Sequence, residues 1–394
     1  MIPKITAHFM LIPAPHQQRI IDLNPRKILL DWETRSGKSL PASVWVNMLC
    51  RSERAYIICK KQDKKDWEAI AGEAKVLTKE EFKKVDIINP TALVVDEAHF
   101  FGSALFVRRG KGRSQLAEKL YRLCKTYPEM DIMLLTATPI RNDAWSYHTL
   151  LCYLGVYYDW KVWREEFFEL KQQHYLPRMP WMRAGEVPTA WFPKEDWRMR
   201  IRKYRESHGD IVLFKDVVEA LPPVKETIIK IKHKPYKQPE DEVVTWVHEH
   251  KYEQGGKAAE IMALGFNKVI VVAHYTSQID QLTKELSAEG RIVYVLDGRT
   301  RDADAVKKAA QASAECYFIV QASMGSGFDG WMFGAIVFAS MSHSYVNYKQ
   351  MLGRLLHPKH MKGINYYYLI GGRWDQRIFE TVQAGKDFDP SVYR

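Results

Sequence analysis

The stretch LVVDEAHF (residues 93–100) is an apolar, β-branched run that ends in two adjacent carboxylates, Asp96 and Glu97. Such a run is typical of a buried strand in a parallel sheet, and it places both acids where the strand ends. Acids at that position could hold a metal ion through water and could orient and deprotonate an attacking water. Taken alone, the same stretch could equally be a strand followed by an acidic surface turn.

An upstream stretch, KILLDWETRSGKS (residues 27–39), favours the catalytic interpretation. Its strand-like part, Lys27–Trp32, runs into a short polar loop and then into a helix-like segment. This context suits a phosphate: backbone N–H groups and a helix N-terminus can cradle it, the Lys38 ammonium can reach it, and the Ser39 hydroxyl can ligate Mg²⁺. The full G-x-x-x-x-G-K-[ST] pattern is incomplete because position 32 is Trp, so GKS alone is a weak signal.

A third stretch, LLTATPI (residues 134–140), is another apolar strand that ends in hydroxyl side chains. The carboxyl ends of parallel strands lie at one edge of a sheet. We therefore expect this strand end to contact the loop of Asp96 and Glu97 and to respond to a bound nucleotide. By itself it would be an ordinary strand end.

Short apolar segments of this kind alternate with amphipathic stretches along the chain, which predicts an α/β fold with two parallel sheets. Strands are expected at 27–32, 55–59, 92–96 and 131–136 in the first half, and at 268–273, 292–296, 317–320 and 335–339 in the second. We predict domains at 1–150 and 223–394, separated by a largely helical, Trp-rich insertion at 151–222. Residues 221–239 contain four prolines and five lysines, which favours an extended linker.

Composition sets the limits for function. The 394 residues suit two or three domains, and 46% hydrophobic with 27% charged residues is typical of a folded protein. The net charge of +11 favours an anionic partner such as nucleic acid. The N-terminal stretch lacks the pattern of a secretory signal, no apolar run is long enough to span a membrane, and the five cysteines form no CxxC pair. We therefore expect a cytoplasmic protein with no membrane association.

The three stretches, in the order in which they are described above, resemble the DEAH-lettered, phosphate-loop and TATP-like motifs of superfamily 2 helicases and translocases. Further elements that resemble the family's motifs follow in the expected order: PHQ (15–17), VAHYT (272–276), LDGRT (296–300), SMGSGFD (323–329) and QMLGR (350–354). Within the superfamily, TATPIRND, LPP (221–223) and YYLI (367–370) look most like Swi/Snf-type double-stranded DNA translocases and compact phage-like DNA helicases. One difference stands in the last motif, where His357 occupies the position of a second arginine.

The resemblance implies two tandem RecA-like domains that bind ATP and Mg²⁺ and move along DNA with little sequence specificity, in a protein expected to be a monomer. The catalytic residues that it implies are Lys38, Asp96, Glu97 and Arg354, with Ser39 and Asp96 at the metal. The cofactor-binding residues are Gln17, which would pair with the adenine, and Arg35, Ser36, Gly37, Lys38, Ser39, Gly327, Asp329 and Gln350. The nucleic-acid-binding residues are Lys60, Lys61, Lys64, Gly298, Thr300 and Ser323.

Two other functions stay open on the sequence. Because His357 replaces an expected arginine, the chain could be a nucleic-acid clamp or recombination mediator with weak ATPase activity. It could also be an RNA helicase. The basic stretch RRGKGR (108–113) is as well explained by a solvated loop as by a phosphate-gripping one. The tryptophans of 151–222 could supply a wedge that separates strands, although most are expected in the core.

Overall fold

A separate parallel sheet forms the centre of each half of the chain. The computed structural model describes residues 13–33, 36–49, 54–102, 114–140, 144–172, 189–213, 223–231, 256–325, 328–356, 363–385 and 387–388. The chain divides into two units, Met1–Val217 and Val218–Arg394. Among the described residues, no helix combines the length and the apolar character needed to cross a membrane.

The first unit alternates strands and helices over most of its length. In chain order its elements are α1 (Pro15–Leu23), β1 (Lys27–Trp32), α2 (Ser39–Leu49), β2 (Ala55–Cys59), α3 (Lys64–Ile70), β3 (Lys75–Thr78), α4 (Lys79–Lys84), β4 (Ala92–Val95), α5 (Gln115–Thr126), β5 (Asp131–Thr136), α6 (Trp145–Tyr153), α7 (Trp160–Phe167), β6 (Phe168–Gln172), β7 (Thr189–Pro193), α8 (Trp197–His208) and β8 (Gly209–Val212). Six strands form a parallel sheet in the order β3-β2-β4-β5-β1-β8, and β6 pairs with β7 in an antiparallel hairpin.

Both faces of this sheet are buried. Because successive side chains of a strand point to opposite faces, Leu29 and Leu134 pack in one apolar cluster while Leu30 and Leu135 pack in the other. All four side chains are fully buried. Burial on two sides explains why these strands are continuous apolar runs in the sequence instead of alternating ones.

The second unit has the same kind of architecture. Its elements are β9 (Val224–Lys230), α9 (Lys257–Ala263), β10 (Lys268–Ala273), α10 (Thr276–Ala288), β11 (Val293–Leu296), α11 (Ala303–Ala312), β12 (Cys316–Gln321), β13 (Ile336–Phe338), α12 (Tyr345–Leu352), β14 (Ile364–Ile370) and α13 (Arg373–Gln383). The strands form a parallel sheet in the order β11-β12-β10-β13-β14-β9. The predicted pair of parallel sheets is therefore confirmed.

The segment 151–222 contains the expected helices and also strands that the sequence did not indicate. Its last described strand, β8, pairs in parallel with β1 and forms the edge of the first sheet. Gly209 and Asp210 begin this strand, and both residue types are depleted in strands, so local preference hides it. The segment up to Val217 accordingly belongs to the first unit.

The prediction of a linker at 221–239 is wrong for residues 224–230. These residues form β9, which pairs with β14 along its whole length. β9 is an edge strand with several exposed side chains, so it lacks the continuous apolar run of a central strand. Its pairing partner lies far away in sequence, and that pairing, which local composition does not encode, makes it a strand.

Candidate functional site

Three strands of the first sheet bring the candidate catalytic loops to one edge. β5 lies between β1 and β4, and all three run parallel. The loops that follow Trp32, Val95 and Thr136 are therefore neighbours. This arrangement places three features on the same side of the sheet: the loop after Trp32 that is predicted to bind phosphate, called the phosphate-binding loop below; the acidic pair Asp96 and Glu97; and the hydroxyl-rich strand end at Thr136 and Thr138.

The phosphate-binding loop has a backbone that glycine favours. Gly37 has a φ of +76°, in the left-handed region, and a Cβ at this position would collide with the Gln17 amide. Ser36 is buried, and its hydroxyl donates to the Glu33 carbonyl at 2.7 Å. Ser39, the first residue of α2, is exposed and stands where a helix N-terminus faces the loop. The local geometry is that of an anion-binding turn.

The PHQ element is held directly against this loop. The Gln17 side-chain oxygen accepts a hydrogen bond from the Ala14 N–H at 2.8 Å, and its amide nitrogen donates to the Gly37 carbonyl at 3.0 Å. His16 Nε2 lies 2.9 Å from the Ser36 carbonyl oxygen. Gln17 therefore connects the start of α1 to the phosphate-binding loop. Its pairing with adenine stays a prediction.

Lys38 lies between the loop and the acidic pair. Its ammonium donates to the Trp32 carbonyl at 2.7 Å and to the Glu33 carbonyl at 3.1 Å. Burial lowers the pKa of Lys38, while the charges of Glu97 and Asp96 oppose that shift. The cation is thus held beside carboxylates and carbonyl oxygens, where an incoming phosphate would offer it further acceptors.

Asp96 and Glu97 have different surroundings. Asp96 accepts hydrogen bonds from Trp67 Nε1 at 3.0 Å and from the Glu97 N–H at 2.9 Å. Burial, together with the charge of Glu97, raises the pKa of Asp96 to about 7. Burial also disfavours the Glu97 carboxylate, but the hydrogen bond from His99 and the charge of Lys60 outweigh it and hold the pKa of Glu97 below its ordinary value. These contacts favour the ionised form of Glu97, which is the form that its predicted role as a general base requires.

His99 links the acidic pair to the hydroxyl-rich strand end. Its Nδ1 lies 3.2 Å from Glu97 Oε2, 3.2 Å from Thr136 Oγ1 and 3.4 Å from Thr138 Oγ1. A single ring nitrogen can donate only one proton, so these oxygens compete for it. The expected contact between the two loops is present, and His99, which sequence reasoning did not single out, makes it.

The lysines predicted to bind nucleic acid in the first unit are partly engaged in ion pairs. Lys60 Nζ lies 3.5 Å from Glu97 Oε1, and Lys64 pairs with Glu81 at 2.8 Å. Lys61 is exposed in the short 3₁₀ turn between them. A phosphate would have to compete with a carboxylate for Lys60 and Lys64, whereas Lys61 already faces solvent. Their binding to nucleic acid stays a prediction.

The nucleic-acid candidates of the second unit also lie at the ends of neighbouring strands. The Gly298 N–H, after β11, donates to Gln321 Oε1 at 3.0 Å, and Gln321 is the last residue of β12. Thr300 Oγ1 accepts a hydrogen bond at 3.0 Å from the backbone N–H of Asp297 in the same loop. Ser323 is exposed in the 3₁₀ turn that follows β12. The structure thus brings these three residues to one edge of the second sheet.

Arg354 contacts the element that contains Asp329. One guanidinium nitrogen donates to the Phe328 carbonyl at 2.9 Å, and Nε donates to the Gln350 carbonyl at 3.3 Å. Asp329 is exposed to solvent, whereas Gln350, on α12, is largely buried. Arg354, Asp329 and Gln350 are therefore brought together within the second unit. Arg35, Gly327, His357 and the stretch 108–113 lie outside the described residues.

A buried ion pair that the sequence did not reveal supports β1 beneath the phosphate-binding loop. Asp31 accepts hydrogen bonds from Arg205 Nε at 2.6 Å and from Nη2 at 2.5 Å. Asp31 is only 3% exposed, in the middle of an apolar run. An acid in an apolar strand is a sign that a cationic partner lies nearby, but the sequence does not show which one, because Arg205 lies on α8, far along the chain. Removing a partner from such a pair leaves an uncompensated buried charge.

The residues present fit a nucleotide phosphate and a divalent cation. The left-handed Gly37, the helix start at Ser39 and the Lys38 ammonium form a donor set suited to an anion. The two Asp96 oxygens each accept one hydrogen bond, which leaves lone pairs for a water of a hard cation such as Mg²⁺.

Comparisons with known proteins agree with the fold. The chain is similar to Dbp5 of S. cerevisiae bound to RNA and ADP BeF3, with 13% identity, a TM-score of 0.54 and coverage of 94% of this chain and 87% of that chain. A variant of the same yeast protein bound to a Gle1 variant and IP6 gives 13% identity, a TM-score of 0.51 and coverage of 95% and 86%. No protein-family model and no curated protein matches the sequence. The chain therefore shares the fold of these solved structures, and its two parallel six-stranded sheets match two tandem RecA-like domains.

Proposed function

We propose that this protein is an ATP-dependent DNA helicase or translocase that couples ATP hydrolysis to movement along duplex, forked or single-stranded DNA, with the remodelling of forks or junctions as one use of that movement. One observation carries the proposal: the phosphate-binding loop, the acidic pair and the hydroxyl-rich strand end lie at one sheet edge, and His99 connects the last two. An acidic surface turn would not require a contact with the loop after β5. A nucleotide-driven motor does require its catalytic base to contact a second loop, so that the state of the nucleotide can affect the rest of the protein.

The proposed catalytic roles follow from the contacts. Lys38 would exchange a hydrogen bond to a backbone carbonyl for contacts with the β- and γ-phosphates. Glu97 would orient and deprotonate the attacking water. Arg354 would add positive charge at the γ-phosphate. Mg²⁺, when bound near Ser39 and Asp96, supplies further positive charge that offsets the charge of the phosphates.

The proposed contacts with DNA are to its backbone. Thr300 and Ser323 offer hydroxyl groups at one edge of the second sheet, and Lys61 offers an exposed cation in the first unit. The Gly298 N–H would exchange Gln321 Oε1 for a phosphate oxygen. Such groups bind phosphate oxygens and carry no sequence information. We therefore expect binding with little sequence preference and a strong dependence on salt.

The main alternative is an RNA helicase. The similar solved structure of Dbp5 is bound to RNA, whereas the motif lettering resembles that of DNA translocases. The other alternative is a clamp or recombination mediator with weak ATPase activity, which His357 in place of an arginine favours. The clamp would bind DNA tightly and hydrolyse almost no ATP. The cytoplasm as location, a monomeric state and the lack of membrane association belong to the same proposal.

The decisive test measures ATP turnover alone and with duplex DNA, forked DNA, single-stranded DNA and single-stranded RNA at equal nucleotide concentration. Stimulation by one or more of the DNA substrates, and little by RNA, is expected. Stimulation by RNA alone would establish the RNA helicase instead. Tight DNA binding with negligible turnover in every case would establish the clamp, and the absence of both binding and turnover would rule out all three.

A further inference from the structure

The first unit carries an exposed aromatic cluster that the nucleotide-binding residues do not use. It lies where helix α7 meets the β6–β7 hairpin and consists of Trp160, Arg164 and Trp191. The Arg164 guanidinium lies 5.1 Å from the centre of the Trp160 ring and 4.2 Å from that of Trp191. Trp160 is 37% exposed and Trp191 is 40% exposed. Most other described tryptophans are buried, so two exposed indoles around one cation need an explanation.

The backbone around this cluster is well ordered by local contacts. The Asp159 side chain caps α7 by accepting hydrogen bonds from the Lys161 and Val162 N–H groups at 2.8 and 3.1 Å. On the other side, Trp191 lies directly opposite Leu170 in the hairpin. Directly opposed residues of an antiparallel pair share a face, and Leu170 is also exposed. The two indoles are thus presented by a capped helix and a paired strand, and both rings contact Arg164.

Two cations lie beside the rings of the cluster. Lys161 lies 5.9 Å from the centre of the Trp160 ring. Among the described residues, Arg164 Nε has no hydrogen-bond partner, and the only carboxylate in an ion pair with Arg164 is that of Glu165, at 3.9 Å. The adjacent helix α8, which contacts α7 through Lys203 and Glu166 at 3.1 Å, carries five basic side chains, four of them in ion pairs with acids. An occupant that combines flat aromatic surface with negative charge would match the rings and the cations Lys161 and Arg164.

We propose that Trp160, Arg164 and Trp191 form a stacking platform for the unpaired bases of single-stranded DNA. Bases expose their faces only when they leave a duplex, and stacking on indole rings tolerates any sequence. The neighbouring cations Lys161 and Arg164 pair with the phosphates of the same strand. A protein ligand would use both the rings and the cations only where an apolar side chain stood beside an acidic one, whereas unpaired DNA supplies a base and a phosphate at every nucleotide. The inference rests on the proposed function and adds that the first unit binds single-stranded DNA.

The test compares two oligonucleotides of equal length, oligo(dT) and an abasic oligodeoxynucleotide, by fluorescence anisotropy with the full chain. Trp191→Ala is expected to raise the Kd for oligo(dT) about tenfold, equivalent to about 1.4 kcal/mol, and to leave the Kd for the abasic strand unchanged. Trp191→Phe, which keeps a ring, is expected to retain most of the affinity. Tyr157→Ala removes an exposed aromatic side chain elsewhere in the same unit and serves as the matched control.

Each outcome decides the matter. An equal loss of affinity for both strands would overturn stacking, because the phosphates alone would then account for binding. Unchanged affinity of Trp191→Ala and Trp160→Ala for oligo(dT) would overturn the platform while DNA-stimulated ATP turnover would still support the motor. Tighter binding of oligo(U) than of oligo(dT) would overturn the choice of DNA. If the unmodified chain binds no nucleic acid, the platform and the motor both fail. Thermal unfolding of each variant shows that the fold is intact.

Discussion

Glu97 adopts a backbone conformation that glycine usually takes, with a φ of +52°, and its carboxylate lies between His99 and Lys60. Backbone strain of this kind persists where the surroundings hold it, and it often occurs at functional sites. Both carboxylate oxygens have a nitrogen nearby, so the side chain has little freedom to rotate. These contacts fix the direction in which the predicted base would accept a proton.

Glu97→Gln tests that role. The amide keeps the shape of the side chain but cannot accept a proton, so ATP turnover is expected to fall by about 10²- to 10⁴-fold while the Kd for ATP stays close to that of the unmodified chain. Turnover is measured by phosphate release, and binding by a fluorescent ATP analogue. Glu81→Gln, which alters a more exposed acid paired with Lys64, serves as the control. Normal turnover in Glu97→Gln would show that another group is the base.

Lys38 provides a second test at the same scale. Lys38→Ala removes a buried cation that binds two carbonyls of the phosphate-binding loop, so both ATP binding and hydrolysis are expected to be lost. Lys61→Ala, an exposed lysine in the same unit, is the charge-matched control and is expected to keep DNA-independent turnover. Isothermal titration with ATP and Mg²⁺ measures the binding. Retained affinity in Lys38→Ala would place the phosphates elsewhere.

Between elements, His99 is the contact through which the loops after β4 and β5 affect each other. His99→Ala and Thr136→Val each remove one side of that contact. Because the residues touch, the losses of kcat in the two single variants and the double variant are expected to be non-additive by about 0.5 to 3 kcal/mol. The matched cycle combines His99→Ala with Thr283→Val, whose hydroxyl bonds to a helix carbonyl in the second unit, and is expected to be additive. Additivity in the first cycle would mean that the two loops work independently.

Helix α8 and strand β8 stabilise the first unit through the pair of Asp31 and Arg205. Arg205→Ala leaves the Asp31 carboxylate buried without its partner, so the free energy of unfolding is expected to fall by about 3 kcal/mol. Arg202→Ala removes an arginine of the same helix whose pair with Glu206 is exposed, and less than about 1 kcal/mol is expected. Urea denaturation measures both. Equal losses of unfolding free energy in the two variants would show that the pair of Asp31 and Arg205 stabilises the fold no more than an exposed pair does.

The sequence predicted the strands made of continuous apolar residues better than the others. The bounds of 27–32, 55–59, 131–136 and 268–273 are those of the structure, because continuous apolar runs leave few other choices. The strands at 75–78, 168–172, 189–193, 209–212 and 364–370 were not predicted, and 224–230 was assigned to a linker. The edge strand 209–212 begins with Gly209 and Asp210, which have weak strand preference, and the edge strand 224–230 was hidden by the prolines and lysines around it; they pair with β1 and β14.

The candidate site divides in the same way. The acids, the lysine and the strand-end threonines could be read from short motifs, since each motif follows its own strand. The contacts that connect these motifs could not be read, because His99 bonds to a different strand and Trp67 reaches Asp96 from helix α3. Their partners depend on how the sheet and the helices pack, which no local pattern encodes. Arg205 was missed for the same reason.

For the whole molecule, a motor requires that the nucleotide and the DNA influence each other's binding. Binding of one ligand changes the affinity for the other only if the chain has two states in equilibrium that both ligands distinguish. A ligand shifts such an equilibrium only by its different affinity for the two states. Linkage then requires that a non-hydrolysable ATP analogue change the Kd for DNA by the same factor by which DNA changes the Kd for the analogue.

We expect that common factor to lie between about 5 and 150, the usual range for coupled sites. Arg354→Ala is expected to bring it close to one while leaving binding of each ligand alone measurable, because the proposed charge of the guanidinium at the γ-phosphate would no longer favour the state that binds DNA. Arg291→Ala, an exposed arginine of the same unit, is the control. Anisotropy with labelled DNA and titration with the analogue give the two factors separately. Factors of one in the unmodified chain would mean independent sites, and the chain would then act as a clamp, because binding energy that is not exchanged between ligands cannot drive movement.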